Sequence, residues 1–183
     1  LIKDSKILMD DTKKIKSIAE IKNLKIFLKK KNFFDKEKIE LKKVSISNAN
    51  FSFLRNDFQI LSDASNKIFS KKKIKINNSN IFFKNNLNEV ISIIKISKAF
   101  LIFDEKNLFN LFDLKGEVFN IPFELNFQNI INSQKKIQIR VPDLKLEVVN
   151  KFFKKDKDQS NGINNISILN SSINTKYNIK DQI

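Results

Sequence analysis

The chain has 183 residues, with 35 Lys and Arg against 20 Asp and Glu, and its formal net charge is +15. It contains no His and no Cys, which excludes an imidazole base, a thiolate nucleophile, a Cys/His zinc site and a disulfide. The glycines, Gly116 and Gly162, are too few for a phosphate-binding glycine loop. We therefore predict no enzyme activity, no catalytic residues, no metal site and no cofactor.

The excess of lysine is spread over the whole chain. Lys, Asn, Ile and Phe dominate the composition and arginine occurs only at Arg55 and Arg140, a pattern that AT-rich coding imposes on any protein. A nucleic-acid interface more often uses arginine for bidentate contacts, with aromatic rings beside it for stacking. Nucleic acid is therefore not the favoured partner, and a basic β-domain that binds nucleic acid is kept as an alternative.

Apolar runs in this chain are short. The longest wholly apolar run, residues 99–103, is far shorter than the roughly 18–20 residues that cross a bilayer as a helix. The sequence starts at Leu1 rather than Met, and a strand-like stretch lies close to its end. We therefore expect a segment of a larger protein, with any membrane anchor outside it.

Alternation of apolar and polar residues, which is typical of half-buried strands, runs through most of the chain. In chain order it predicts strands at 24–28, 42–53, 72–83, 90–103, 119–127, 135–148 and 165–174, and a shorter strand or turn at 111–118. The clearest is 119–127, in which every odd-numbered residue is apolar; Pro122 on its polar face should lie at an edge or a bulge. Residues 57–69 have helical spacing, with Asp57 as a candidate N-cap, and the polar residues 154–165 predict a loop.

Residues 42–56 and 72–86 repeat one pattern, with identical residues at seven aligned positions. In each copy the apolar residues change from even to odd positions at an asparagine, Asn48 or Asn78. A regular strand would then send half of its apolar side chains into water, whereas one extra residue in a β-bulge returns both halves to one face. Asparagine tolerates the left-handed backbone that such a bulge can require. The alternative is two short strands joined by a turn at each asparagine.

The same change of parity occurs at Pro142–Asp143 and again within 165–174. The alternation predicts a mostly β fold. Because the regular Gly/Pro turns of a sandwich or barrel are scarce, it favours an open sheet over a closed one. We predict a curved, antiparallel, open β-groove sheet built of repeated strand units, with one or two short helices. The predicted organisation is a β-groove segment over 1–150, a polar loop or linker over 151–165 and the start of a further strand unit over 166–183.

The apolar face of this sheet is the candidate site, because an exposed apolar groove marks a ligand or membrane partner. The predicted lining residues of the groove are Val44, Ile46, Phe51, Phe53, Ile74, Ile76, Ile81, Phe83, Ile94, Ile96, Phe100, Ile102, Phe119, Ile121, Phe123, Leu125 and Phe127. Phe and Ile suit this role because they offer broad apolar area without a polar group that needs a partner.

Three features follow one another along residues 73–127. A strand ends in the pattern N-x-N-φ-x-F at 78–83, where φ is apolar; a long amphipathic strand comes next; and G-x-φ-x-x-x-P-φ-x-φ-x-φ spans 116–127. Together they resemble the bacterial AsmA-like family, relatives of TamB within the repeating β-groove lipid-transfer superfamily. The resemblance covers roughly residues 15–150 and consists of β patterns.

This resemblance implies a large envelope protein that is anchored in the inner membrane by an N-terminal helix and extends into the periplasm. It implies a non-enzymatic role, in which the groove shields the acyl chains of a phospholipid or similar lipid during transport, or supports outer-membrane assembly. The family has no shared catalytic residues to carry over. A purely structural β-rich envelope or adhesin module is a further alternative.

Overall fold

The computed structural model describes residues 1–11, 14–30, 39–54, 57, 66–131, 133–154 and 159–180. The described strands form one sheet of eleven, in which each strand lies beside its neighbours in the sequence and the two ends do not close on each other. The strands are β1 (Ile2–Asp11), β2 (Lys14–Lys30), β3 (Ile39–Leu54), β4 (Lys73–Lys84), β5 (Val90–Asp104), β6 (Phe109–Val118), β7 (Ile121–Ile130), β8 (Gln134–Val141), β9 (Leu146–Lys154), β10 (Gln159–Ile168) and β11 (Ser171–Lys180). The prediction of a mostly β, open sheet is confirmed.

Neighbouring strands are antiparallel except for β3 and β4, which run parallel. Their register is offset by thirty residues throughout, so that Ile46 lies beside Ile76 and Phe53 beside Phe83. The Phe53 and Phe83 ring centroids are 6.3 Å apart. The two copies of the sequence repeat are therefore adjacent strands in matching register, where each side chain meets its own counterpart.

The change of face at the two asparagines is a bulge in each strand. Asn48 and Asn78 have φ values of 55° and 46°, in the left-handed region. In β3 the exposed Asn48 stands between the buried side chains of Ile46 and Ala49, which belong to one apolar cluster. The prediction of bulges at these asparagines is confirmed, and the alternative of two strands joined by a turn is wrong here.

The extra residue recurs at the same level in five adjacent strands. The positions that form this line are Asp4, Lys22, Asn48, Asn78 and Ser97. Because each of β1 to β5 inserts its residue at the same place, the register on the two sides of the line is unbroken between them. The line ends between β5 and β6, where the register shifts by one residue and the Ser97 hydroxyl donates to the Lys115 carbonyl at 2.8 Å.

Gly116 lies on β6 next to the end of this line, opposite Ile96. A Cβ atom at Gly116 would stand 2.5 Å from the carbonyl oxygen of Lys95, closer than such atoms approach. The glycine therefore allows β6 to lie close to β5 where the register shifts.

Sequence alternation assigned the wrong face to part of β5. The line of extra residues passes through Ser97, so Ile94 and Ile96 share the apolar face with Ala99 and Leu101. Phe100 and Ile102, which were predicted to line the groove, lie on the opposite face.

Three predicted strands are hairpins or contain turns. Phe119 and Asn120 form the turn between β6 and β7 with φ values of 51° and 61°, so Phe119 is not part of the predicted strand 119–127. The 3₁₀ turn Pro142–Leu144 joins β8 to β9, which confirms the sharp bend at Pro142–Asp143 as a turn rather than a bulge. Leu169 lies in the turn between β10 and β11.

Two further predictions concern segments between strands. Most of the predicted helix 57–69 lies outside the described residues, and the described part from residue 66 onward is not helical. In the predicted loop 151–165, strands occupy 151–154 and 159–165, while 155–158 lie outside the described residues. The polar residues on both faces of these strands hide the alternation. Pro122, predicted at an edge or bulge, is the second residue of the interior strand β7 and is exposed.

Replacing Asn78 tests the bulge. Asn78→Val should destabilise the protein by about 1–2 kcal/mol, because a β-branched residue adopts the left-handed backbone poorly. Asn78→Gly should keep the wild-type stability. Urea unfolding midpoints measure both effects.

The matched control is Asn77→Val, since Asn77 has negative φ and valine favours a regular strand. It should leave the midpoint near the wild-type value. Equal losses for Asn77→Val and Asn78→Val would contradict the assignment of the bulge to Asn78.

Candidate functional site

One aliphatic side chain from every strand lies in a single row across the sheet. The members of this aliphatic row, each directly opposite the next, are Ile2, Leu24, Ile46, Ile76, Ala99, Leu114, Leu125, Ile139, Val148, Ile166 and Ile173. Eleven strands spaced about 4.8 Å apart give the row a length of about 48 Å. It runs perpendicular to the strands and is uninterrupted among them.

Exposure of the aliphatic row changes along its length. Ile46, Ile76 and Leu114 are 7%, 8% and 3% exposed, because their neighbours on the same face pack around them. The row is half-buried from β7 to β10, and its end on β11, Ile173, is 62% exposed. The free apolar surface of the row therefore lies mainly over β7 to β11, with a separate exposed end at Ile2 on β1, which is 48% exposed.

A parallel row on the same face widens the apolar surface and then ends. Its apolar members are Ile26, Val44, Ile74, Leu101, Phe112, Phe127 and Ile137. On β9 to β11 it continues as Asn150, Asn164 and Thr175. The Asn150 amide donates to Asn164 and, at 2.8 Å, to the Tyr177 hydroxyl. The apolar face is thus wide up to β8 and narrows to the aliphatic row beyond it.

The opposite face carries a matching polar row, one residue away from the aliphatic row along each strand. Its members are Lys3, Asn23, Ser47, Asn77, Lys98, Lys115, Glu124, Arg140, Glu147, Ser167 and Ser172. Alternation of side chains along each strand places the two rows on opposite faces. The sheet is therefore amphipathic across its whole width.

Charges alternate in part of the polar row. Lys115 is ion-paired with Glu124, and Arg140 donates to Glu147 at 2.7 Å. Hydrogen bonds from Arg140 and then Gln138 lower the pKa of the Glu147 carboxyl, and the Lys115 ammonium lowers that of Glu124. These pairs are solvated, and each contributes little to stability on its own.

Acid should weaken these pairs. A carboxyl whose pKa is lowered by folding contributes stability that is fully present above its usual pKa of about 4.3 and is lost as the pH falls through the lowered value. We expect the urea midpoint of the wild type to decrease as the pH is lowered below about 4.3. The midpoint of the Glu147→Gln variant should decrease less over the same pH range. An equal fall in Glu147→Gln would show that this carboxyl does not contribute.

A buried amide fixes the segment before β4 to the apolar face. Asn110 on β6 is fully buried; its amide donates to the Lys67 carbonyl at 2.7 Å and accepts from the Phe69 amide at 2.8 Å. The Phe103 amide donates to the Ser70 carbonyl at 2.9 Å. Since Asn110 shares the face of Phe112 and Leu114, residues 67–70 cover the apolar face at this end of β5 and β6.

A cavity of about 410 Å³ lies on the polar face, not on the apolar face. Its lining includes Lys98, Phe100, Asp113, Asn126 and Arg140. The apolar face of β2 to β6 is filled by its own side chains. The surface that the apolar face offers to a ligand therefore lies mainly beyond β6, where the aliphatic row is half-buried.

The structure brings most of the predicted lining residues to one face. Val44, Ile46, Phe51, Ile74, Ile76, Ile81, Ile96, Phe123 and Leu125 belong to or pack against the buried cluster, and Phe53, Phe83, Ile94, Ile121 and Phe127 share their face by register. Phe100, Ile102 and Phe119 do not. Sequence reasoning missed Leu24, Ala99, Leu114, Ile139, Val148 and Ile166; the alternation within 135–148 and 165–174 was the signal for the last three.

Comparison with known proteins finds no matching protein family, curated protein or solved structure. In the part of the chain that the structure describes, no helix has the length and apolar character required to span a membrane. Within the same residues, no group of three or more carboxylates is placed to hold a metal ion.

Proposed function

We propose that this chain is a non-enzymatic segment whose apolar sheet face binds the acyl chains of lipids and shields them from water. The observation that carries the proposal is the aliphatic row, which presents one side chain from each of eleven strands without a polar interruption. A protein core requires apolar residues, but it does not require them in one unbroken row across an open sheet.

The energy of acyl-chain burial supports this role. Each methylene removed from water contributes about 0.8 kcal/mol, so an acyl chain of about sixteen carbons gains on the order of 10 kcal/mol from full burial. A chain lying on an open face buries part of its surface and gains a fraction of this amount. Side chains such as Ile139 and Val148 present no hydrogen-bonding group that the acyl chain would leave unpaired.

The acyl chain is placed over β7 to β10 in this proposal. There the row members are half-buried, and Phe127 and Ile137 stand beside them on the same face up to β8. Over β2 to β6 most of the apolar side chains already bury one another, and Ile26 at the β2 end is the exception at 48% exposed. The exposed end at Ile173 gives an acyl chain access from the edge of the sheet.

The wider setting follows from the resemblance to the AsmA-like family and is part of the proposal. The proposed location is the periplasm, with attachment to the inner membrane by an anchor outside this segment. The proposed partner is a phospholipid or other acyl-chain lipid, and the proposed role is in lipid transport or outer-membrane assembly. The self-packed side chains of β2 to β6 favour a second candidate, a purely structural β module that binds no lipid.

Placing a charge in the row tests lipid binding. Ile139→Lys puts an ammonium group in the middle of the half-buried stretch, where it disrupts contact with an acyl chain. We expect bound lipid per folded protein, measured by mass spectrometry after purification without detergent, to fall several-fold. Unfolding midpoints establish that the variant is folded.

Gln138→Lys is the matched control, because Gln138 precedes Ile139 on the opposite face and its amide already donates to Glu147. It should retain wild-type lipid. If Ile139→Lys does not fold, a benzoylphenylalanine crosslinker at each position gives the same comparison, with lipid adducts expected at 139 and not at 138. Equal lipid at the two positions, or none in the wild type, would favour the structural module.

A further inference from the structure

Five lysines form a patch on the polar face of β2 to β5. The lysine patch consists of Lys25, Lys43, Lys73, Lys75 and Lys98. Lys43 and Lys73 lie directly opposite each other on adjacent strands. Lys25 and Lys75 stand in one row on either side of Ser45, and Lys98 lies opposite Asn77. The net charge of the chain explains why lysines are numerous, but not why these share one area.

Within β2 to β5, the rows that hold the patch lysines contain no carboxylate; the row of Lys25 and Lys75 meets one only on β6, where Phe100 lies opposite Asp113. These rows contain Asn23, Ser47 and Asn77 beside Lys98; Ser45 and Phe100 beside Lys25 and Lys75; and Phe27 beside Lys43 and Lys73. Among the described residues, none of the five ammonium groups forms an ion pair. By contrast, other lysines of the same face, Lys6, Lys95 and Lys115, are each paired with a glutamate.

The arrangement of the patch is two-dimensional. Strands about 4.8 Å apart, with alternate residues about 7 Å apart along each strand, distribute the lysines over an area rather than along a line. A linear polyanion follows a stripe or a groove, whereas an array of charges spread over a sheet face matches a plane of anionic groups.

Two aromatic rings in the patch are covered by lysines. The Lys73 ammonium lies 3.6 Å from the centroid of the Phe100 ring, and the Lys43 ammonium lies 4.2 Å from that of Phe27. Rings that carry an ammonium group on one face offer a poorer platform for stacking bases. The patch also contains no arginine for bidentate phosphate contacts. These features favour a membrane surface over a nucleic acid.

We propose that the lysine patch docks the sheet on the anionic headgroups of a membrane surface. Docking uses the polar face of β2 to β5, whereas acyl-chain binding uses the opposite face of β7 to β10. The interaction goes beyond the proposed function and stands or falls independently of it. Because the lysines are solvated, docking should weaken steeply as salt is raised.

Vesicle flotation tests the docking. The full chain is mixed with phosphatidylcholine vesicles, with or without phosphatidylglycerol, at low and high salt. We expect binding only to the vesicles that contain phosphatidylglycerol, and only at low salt. The triple variant Lys25→Gln, Lys75→Gln and Lys98→Gln should bind at least about tenfold more weakly than the wild type, because each lysine near an anionic surface adds to the attraction.

The control is Lys6→Gln, Lys95→Gln and Lys115→Gln, which changes the net charge by the same amount on the same face but replaces paired lysines. It should bind like the wild type, and urea midpoints establish that both triple variants are folded. Equal losses in the two triple variants would show an effect of net charge alone and overturn the proposal. So would absence of binding to anionic vesicles, or tighter binding of a single-stranded oligonucleotide through the same three lysines.

Lipid bound by the purified protein is measured separately and responds to Ile139→Lys. Vesicle docking with normal dependence on the patch, together with no bound lipid, would overturn the proposed function and leave the docking surface in place. Bound lipid without vesicle docking would overturn the docking surface and leave the proposed function in place.

Discussion

The register of β1 to β5 depends on one extra residue that all five strands insert at the same level. Without the extra residue, the apolar side chains that follow it in each strand would lie on the other face of the sheet. A bulge in one strand alone shifts the register against its neighbour, as happens between β5 and β6. Here the insertions at Asn48 and Asn78 lie at the same level of two adjacent strands. Ile46 therefore stays opposite Ile76 before the bulges, and Phe51 stays opposite Ile81 after them. The continuity of the aliphatic row depends on this agreement between strands.

An open sheet with one apolar face has no second layer among its described elements. Its side chains must therefore bury one another, and they do so over β2 to β6, where Ala49 and Ala99, each close to a bulge, are almost inaccessible. Beyond β6 the strands are regular and the same face is half-buried. The molecule thus combines a self-packed part with a part whose apolar side chains have free surface, and the proposed lipid site belongs to the second part.

Much of the fold followed from the sequence because strand alternation is a local signal. The bulges at Asn48 and Asn78 were predictable, since asparagine tolerates positive φ and the apolar parity changes beside it. The bulge at Ser97 was not, because serine carries no such signal and Phe100 and Ile102 continue an apparently regular pattern. Whether a change of parity is a bulge or a hairpin also depends on which strand pairs with which, and that is a tertiary property. The parallel pairing of β3 with β4 and the full extent of the aliphatic row needed the structure for the same reason.

Methyl NMR with a spin-labelled phospholipid tests whether an acyl chain contacts the aliphatic row. The label, placed on the acyl chain, broadens the methyl signals that lie close to it. We expect the methyl signals of Leu125, Ile139 and Val148 to broaden strongly, while those of Ile93, Val149 and Ile163, which lie on the opposite face, keep their intensity. Broadening that is equal on the two faces, or confined to the face of Val149 and Ile163, would contradict this contact.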